Sequence, residues 1–178
     1  EMLTEKLSKD LKKNFLITHF FNPPRYLRLL EIVTGKDNDP AKVKEVVDFC
    51  DVKLGKGVVK CKDTPGFIVN RILTFFMQTA LNVAVSDKVS VEVADAVLSK
   101  PVGIPKTGVF GLIDLVGVDL MPHLAESLLA TLPKEDPYRK IYKDYEFIGG
   151  MIKAGYTGRK GKGGFYRLHP DGSKEKQA

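Results

Sequence analysis

Residues 62–66, KDTPG, are a turn that constrains the fold more than any other feature, because the hydrophobic pattern differs on its two sides. Upstream, short apolar runs at 15–21 and 27–33 are separated by Asn22, Pro23 and Pro24, whose prolines stop either helix or strand from continuing. This reads as strand, turn, strand. Pro40 then opens a helix running to about Leu54, with Val43, Val46, Val47 and Phe49 as its apolar face, and Gly55 and Gly57 end it. A third strand follows at 58–61, so the segment is part of an α/β sheet. Downstream of the turn, no β-pattern is visible for roughly a hundred residues. Residues 67–86 read as a long helix whose apolar side chains wrap most of its circumference, which requires enclosure by other helices or by a partner subunit. Shorter helices are predicted at 90–98, 109–116, 119–131 and 145–154. The organisation expected is an α/β part over 1–62 and an all-α part over 63–178, with a disordered polar tail at 171–178.

The 178 residues are 43% hydrophobic and 28% charged, which excludes a disordered chain. A chain of this size buries roughly 70% of its unfolded surface and needs no disulfide framework. Its two cysteines, Cys50 and Cys61, form no close-set ligand pair, so no metal is expected, and they suit a reducing cytoplasm. The longest apolar stretch, 67–85, is interrupted by Asn70, Arg71, Gln78 and Asn82 and falls short of a bilayer span. The opening residues, EMLTEKLSKDLKK, lack the apolar core of a secretory signal. They place Met2, Leu3, Leu7 and Leu11 near helical spacing, so position 1 is expected to be a truncation point inside a longer protein. The net charge of +6 suits a polyanionic ligand by steering. It also admits a basic nucleic-acid-binding domain as an alternative, although a recognition helix with clustered arginines and an aromatic stacking platform are both missing, and no nucleic-acid partner is expected. A non-catalytic helical dimerisation module is the other alternative.

His19 ends an apolar strand at a proline turn, and strand ends of α/β sheets are where ligands bind. Glu31 lies twelve residues later, between Leu29, Leu30, Ile32 and Val33, where an unpaired carboxylate is costly to bury. If the two strands are neighbours, Glu31 reaches His19, fixes its tautomer and leaves the other ring nitrogen as a general base. The competing reading pairs Glu31 with Arg25 or Arg28, and spacing alone does not choose. Asn70, amid Phe67, Ile68, Val69, Ile72 and Leu73, must find partners for its amide in the local backbone or in a substrate oxygen. His123 reads as a surface or packing histidine and His169 as solvated. The stretch Gly158, Gly161, Gly163, Gly164, interleaved with Arg159, Lys160 and Lys162, is a basic turn that contacts phosphate or is merely a solvated hairpin.

HFFNPP at 19–24, LLEIVTG at 29–35, CKDTPGFIVNRI at 61–72, GIP through GLIDLVGVD at 103–119 and GRKGKGGFY at 158–166 together resemble the L-3-hydroxyacyl-CoA dehydrogenase family, in its order and approximate spacing. The resemblance covers nearly the whole chain. It implies the C-terminal part of a Rossmann-type NAD-binding domain over 1–62, then a helical dehydrogenase domain over 63–178 that supplies a homodimer contact. It implies His19 as the catalytic base, Glu31 as its orienting carboxylate, Asn22 and Lys160 against NAD, and Asn70 in the site for the acyl-CoA substrate. GxGxxG, which the family carries, occurs nowhere in these residues. The 178-residue chain alone is therefore expected to bind NAD weakly and to turn over slowly or not at all.

Overall fold

The computed structural model describes residues 2–104, 106–168 and 174–176. His169 and the tail at 171–173 and 177–178 lie outside the described residues. The chain divides into two compact units, one ending at Arg71 and the other beginning at Ile72.

The first unit holds α1 (Lys9–Asn14), β1 (Leu16–Phe20), β2 (Leu29–Thr34), α2 (Pro40–Asp48) and β3 (Gly57–Cys61). The sheet order is β1-β2-β3, with β1 antiparallel and β3 parallel to the central β2. Flanked by a strand on each edge and covered on both faces, β2 reads as an almost unbroken apolar run. Leu30 and Ile32 point to one face, where they pack with Cys50, Leu16, Val46, Val47 and Val58. Glu31 and Val33 point to the other, and both are buried. Asp39 caps α2 by accepting the Ala41 amide at 2.8 Å, and Pro40 occupies its first turn.

Two expectations need correction here. The helix that was to begin at Met2 is a 3-10 turn at Met2–Thr4 followed, after a break, by α1, which Ser8 caps and which buries no side chain. The Ser8 hydroxyl accepts the Leu11 amide at 3.4 Å, so helix starts there and not six residues earlier. Phe49, placed on the apolar face of α2, is 53% exposed. The α-helix widens into a π-turn at Phe49–Lys53, which rotates the following side chains off the helical face, and Cys50 takes the inner position.

A long helix, α3 (Val69–Ser86), is followed in the second unit by α4 (Val91–Val97), α5 (Gly108–Val116), α6 (Leu120–Thr131), α7 (Pro137–Ile141) and α8 (Glu146–Lys153). The α3 helix starts two residues later than its apolar pattern because Gly66 and Phe67 both have positive φ, 74° and 48°. Its inner side chains Met77, Ala80, Leu81 and Ala84 join Ala94, Val109, Phe110, Ile113, Ile148 and Phe165 in one core. Its opposite stripe, Ile72 and Val83, is exposed, so this helix is covered on one side only. A second cluster joins Leu128, Leu132 and Tyr138, and Arg139 donates to the Leu129, Leu132 and Pro133 carbonyls at the end of α6. The short α7 was not predicted, although Asp136 caps it by accepting the Tyr138 amide at 2.8 Å and Pro137 follows at once. Within the expected tail, Lys174–Lys176 forms a strand, β5, antiparallel to β4 (Tyr166–Leu168). Among the described residues, no single helix is long and apolar enough to cross a membrane.

Two buried carboxylates organise the glycine-rich segments of this unit. Asp95 accepts the Phe110 and Gly111 amides at 2.7 and 2.9 Å and the Tyr166 hydroxyl at 2.9 Å. Burial, with Asp95 alongside, pushes the Tyr166 phenol far above its ordinary value. Asp114 accepts the Phe165 and Tyr166 amides at 2.8 and 2.9 Å, and its carbonyl accepts the Arg159 amide at 2.9 Å. The 158–163 stretch is therefore a turn closed by a Gly158–Gly163 bridge and held to α5 through main chain.

Gly158 has φ 102°, and a Cβ there would fall 2.3 Å from the Asp114 carbonyl oxygen. Gly158→Ala is expected to cost about 3 kcal/mol or more in thermal or urea unfolding. Gly149→Ala, at a helical site open for 4 Å around, should be neutral or stabilising by about 0.5 to 1 kcal/mol. Equal effects of the two substitutions would refute this account.

Candidate active site

In the antiparallel register His19 faces Glu31 directly, which decides between the two pairings that spacing left open. His19 Nδ1 and Glu31 Oε2 are 2.7 Å apart. The Glu31 side chain is fully buried, while that of His19 keeps 30% of its exposure. The other carboxylate oxygen, Oε1, accepts the amides of Ile68 at 3.0 Å and Val69 at 2.8 Å. These amides open α3, where N–H groups have no partner within the helix, so the carboxylate satisfies donors the helix cannot. The reversal at Gly66 and Phe67 aims them inward. Arg28, one of the two rival partners, donates instead to the Gly55 carbonyl at 3.2 Å.

Burial by itself would push the Glu31 carboxyl up, but the hydrogen bonds from His19, Val69 and Ile68 outweigh it and hold the group below its ordinary value. An ionised carboxylate only accepts, so Nδ1 carries the ring proton and Nε2 presents its lone pair. Nε2 has no hydrogen-bond partner among the described residues. Phe21 and Phe67 meet the imidazole edge-on, with ring centroids 4.7 and 5.8 Å away, and fix its tilt. The result is a half-exposed imidazole with one nitrogen committed to a carboxylate and the other available to a ligand, the arrangement of a general base.

The remaining candidates are less closely gathered. Asn22 is exposed in the turn three residues after His19, next to a cis peptide bond to Pro23. Asn70 follows Val69 on α3, is partly buried and is engaged in an interaction of its own. Lys160 is exposed on the Gly158–Gly163 turn of the second unit, and His123 is exposed on α6. A cleft of about 640 Å³ lined by Phe15, Ile17, Thr34, Lys36 and Lys62 touches none of these residues. No group of three or more His, Cys, Asp or Glu among the described residues could hold a metal ion. Cys50 and Cys61 are free and buried, and burial pushes both thiols up, which leaves them poor nucleophiles. Sequence reasoning missed the buried Asp95, Asp114 and Lys56. The signal for Asp114 was the one used for Glu31, a carboxylate inside an apolar run.

A strand-end imidazole braced by a buried carboxylate in an α/β sheet, in a chain that also carries a separate helical unit, is the arrangement of a protein able to transfer a proton at a strand end. The profile of the 3-hydroxyacyl-CoA dehydrogenase NAD binding domain matches residues 1–64, and that of the 3-hydroxyacyl-CoA dehydrogenase C-terminal domain matches residues 66–168. The chain belongs to the 3-hydroxyacyl-CoA dehydrogenase family. It is 43% identical over 173 residues to a Rickettsia felis protein provisionally named as a fatty acid oxidation complex trifunctional enzyme, covering 97% of this chain and 24% of that protein. It is 32% identical over 149 residues to the mitochondrial hydroxyacyl-coenzyme A dehydrogenase of Rattus norvegicus, covering 84% of this chain and 46% of that one. Among solved structures, (S)-3-hydroxybutyryl-CoA dehydrogenase from Ralstonia eutropha matches with a TM-score of 0.72 and 31% identity, covering 87% of this chain and 52% of that chain. The chain thus spans between about a quarter and a half of these relatives' lengths.

Because the folded state binds a proton on Glu31 less readily than the unfolded chain, this contribution to stability is complete above the ordinary value of 4.5 and is lost as pH falls through the lower folded value. Glu31→Gln is expected to flatten the acid limb of a urea-stability profile. Glu31→Ala, which strands the two helix amides, should cost about 1 to 3 kcal/mol at neutral pH. An acid limb unchanged in Glu31→Gln would refute the assignment.

Proposed function

We propose that the full-length protein carrying these residues is an NAD-dependent 3-hydroxyacyl-CoA dehydrogenase that oxidises 3-hydroxyacyl-CoA to 3-oxoacyl-CoA in fatty-acid β-oxidation. The observation that carries the reading is the 2.7 Å bond between His19 and the fully buried Glu31, taken with membership of the family. His19 Nε2 takes the proton of the substrate 3-hydroxyl as the C3–H bond breaks and the C3–O bond becomes a carbonyl. NAD, when bound, supplies the acceptor for the hydride leaving C3. Glu31 holds Nδ1–H, keeps the imidazole oriented and stabilises the imidazolium that forms, and its lowered carboxyl value keeps the proton on the ring. Asn22 and Lys160 are proposed to lie against NAD and Asn70 against the acyl-CoA, on the strength of the family resemblance. GxGxxG is absent from these residues, so the pyrophosphate cradle is assigned to none of them.

The domain assignment proposed is 1–62 and 63–178, supported by profiles that meet between 64 and 66. A reducing compartment such as the cytoplasm is supported by the two free cysteines. A homodimer through the helical domain is supported by the exposed apolar stripe Ile72 and Val83 on α3 and by exposed Val93 and Val97 on α4. Light scattering is expected to report a dimer at tens of micromolar protein, and Ile72→Glu with Val83→Glu to shift it to monomer; a monomeric parent would overturn that contact.

His19→Gln in the full-length protein is expected to lower kcat for 3-hydroxybutyryl-CoA oxidation by about 100- to 10,000-fold, with KM changed by no more than a few-fold. NADH production followed by absorbance reads this directly. An unchanged rate would make the pair structural.

A further inference from the structure

The turn at 22–28, which begins three residues after His19 and carries Asn22, is exposed at every position. Hydrophobic packing therefore does not fix its path. Its internal bonds, from the Tyr26 and Leu27 amides to the Pro23 carbonyl, are both 3.0 Å. A side chain that reaches it from the rest of the unit is that of Lys56, which is only 7% exposed. The Lys56 ammonium donates to the Pro24 carbonyl and, at 2.9 Å, to the Leu27 carbonyl, and it lies 5.7 Å from the centroid of the Phe20 ring. No ion pair among the described residues involves it.

A buried ammonium carries three donors and is tolerated only where acceptors are supplied. Here the acceptors are carbonyl groups of the active-site turn. The adjoining backbone laces the same two segments together. The Gly57 amide donates to the Arg28 carbonyl at 2.9 Å, the Arg28 guanidinium donates to the Gly55 carbonyl at 3.2 Å, and the Lys56 amide closes the preceding helical turn on Cys50 at 3.0 Å. The base of the lysine is thus anchored to the π-turn at Phe49–Lys53 that follows α2, while its tip grips the turn.

We propose that Lys56 is a positioning residue of the dehydrogenase site: its buried ammonium clamps the turn at 22–28 and so sets where Asn22 stands relative to His19. The proposal rests on the dehydrogenase reading. It adds a residue that touches neither substrate nor cofactor and acts through the main chain of the turn.

The test uses Lys56→Met in the full-length protein, which keeps the aliphatic stem and deletes the charge. Amide hydrogen exchange at Tyr26 and Leu27 is expected to accelerate while the β1–β2 ladder keeps its protection. The kcat should fall about 10- to 100-fold with the KM for acyl-CoA within about twofold, as a misplaced reacting group predicts. Lys56→Arg, which restores a cationic donor, should recover part of the loss. Unchanged exchange at Tyr26 and Leu27, or a kcat within about twofold of the parent alongside a lowered melting temperature, would overturn the proposal and leave Lys56 a purely structural residue. Should the Met variant not fold, Lys56→Gln is read by the same two measurements. A parent that produces no NADH sinks the dehydrogenase reading and this inference with it, whereas an active parent with an indifferent Lys56 variant sinks the inference alone.

Discussion

A carboxylate with no solvent exposure sits in the middle of the central strand of the first unit, and the local architecture follows from what it needs. Glu31 interrupts the apolar run of β2, where an ion without partners would be driven to neutralise. It stays in place because three donors converge on it, the His19 ring and the amides of Ile68 and Val69. Each donor requires a different part of the fold. The His19 bond requires β1 to pair antiparallel with β2 in one register, since a one-residue slip would turn the imidazole to the other face. The amide bonds require the chain after β3 to reverse at Gly66 and Phe67 and to start α3 at that point. Sheet register, helix start and base chemistry are therefore consequences of one buried charge.

The same solution recurs across the molecule. Asp95 and Asp114 are held chiefly by backbone amides, Lys56 by backbone carbonyls, and Arg139 by the carbonyls that end α6. The ion pairs involving lysine lie on the surface, where they contribute little. Main-chain dipoles are fixed by the fold itself, so the buried charges here are compensated without long side chains having to be ordered at both ends.

Much of the first unit was legible because proline and glycine punctuate it and because Glu31 is conspicuous among Leu30, Ile32 and Val33. Spacing could propose the His19 pair but not exclude Arg28, since register is a property of two strands and not of one segment. The path of α2 was readable until the π-turn at Phe49–Lys53 broke the helical period. Lys56 escaped notice because a lysine between two glycines looks like a solvated loop, and its burial depends on a turn about thirty positions earlier in the sequence. The three-residue strands β4 and β5 are too short to carry a period. Asp95 fell within a helix that also carries Glu92, and nothing in that pattern marks which acid turns inward.

The grip of Asp114 on the glycine-rich turn has a consequence for how that surface can change. The main-chain carbonyl of Asp114 that accepts the Arg159 amide is indifferent to the side chain which that residue carries. Glycine is demanded where Gly158 and Gly164 crowd Asp114, and the Lys162 ammonium reaches back to the Ala154 carbonyl at 3.3 Å, but Arg159 and Lys160 are exposed and the turn's main-chain bonds do not involve their side chains. The turn is thus a fixed rail with exchangeable fittings, on which a lineage can change surface charge without rebuilding the helices beneath.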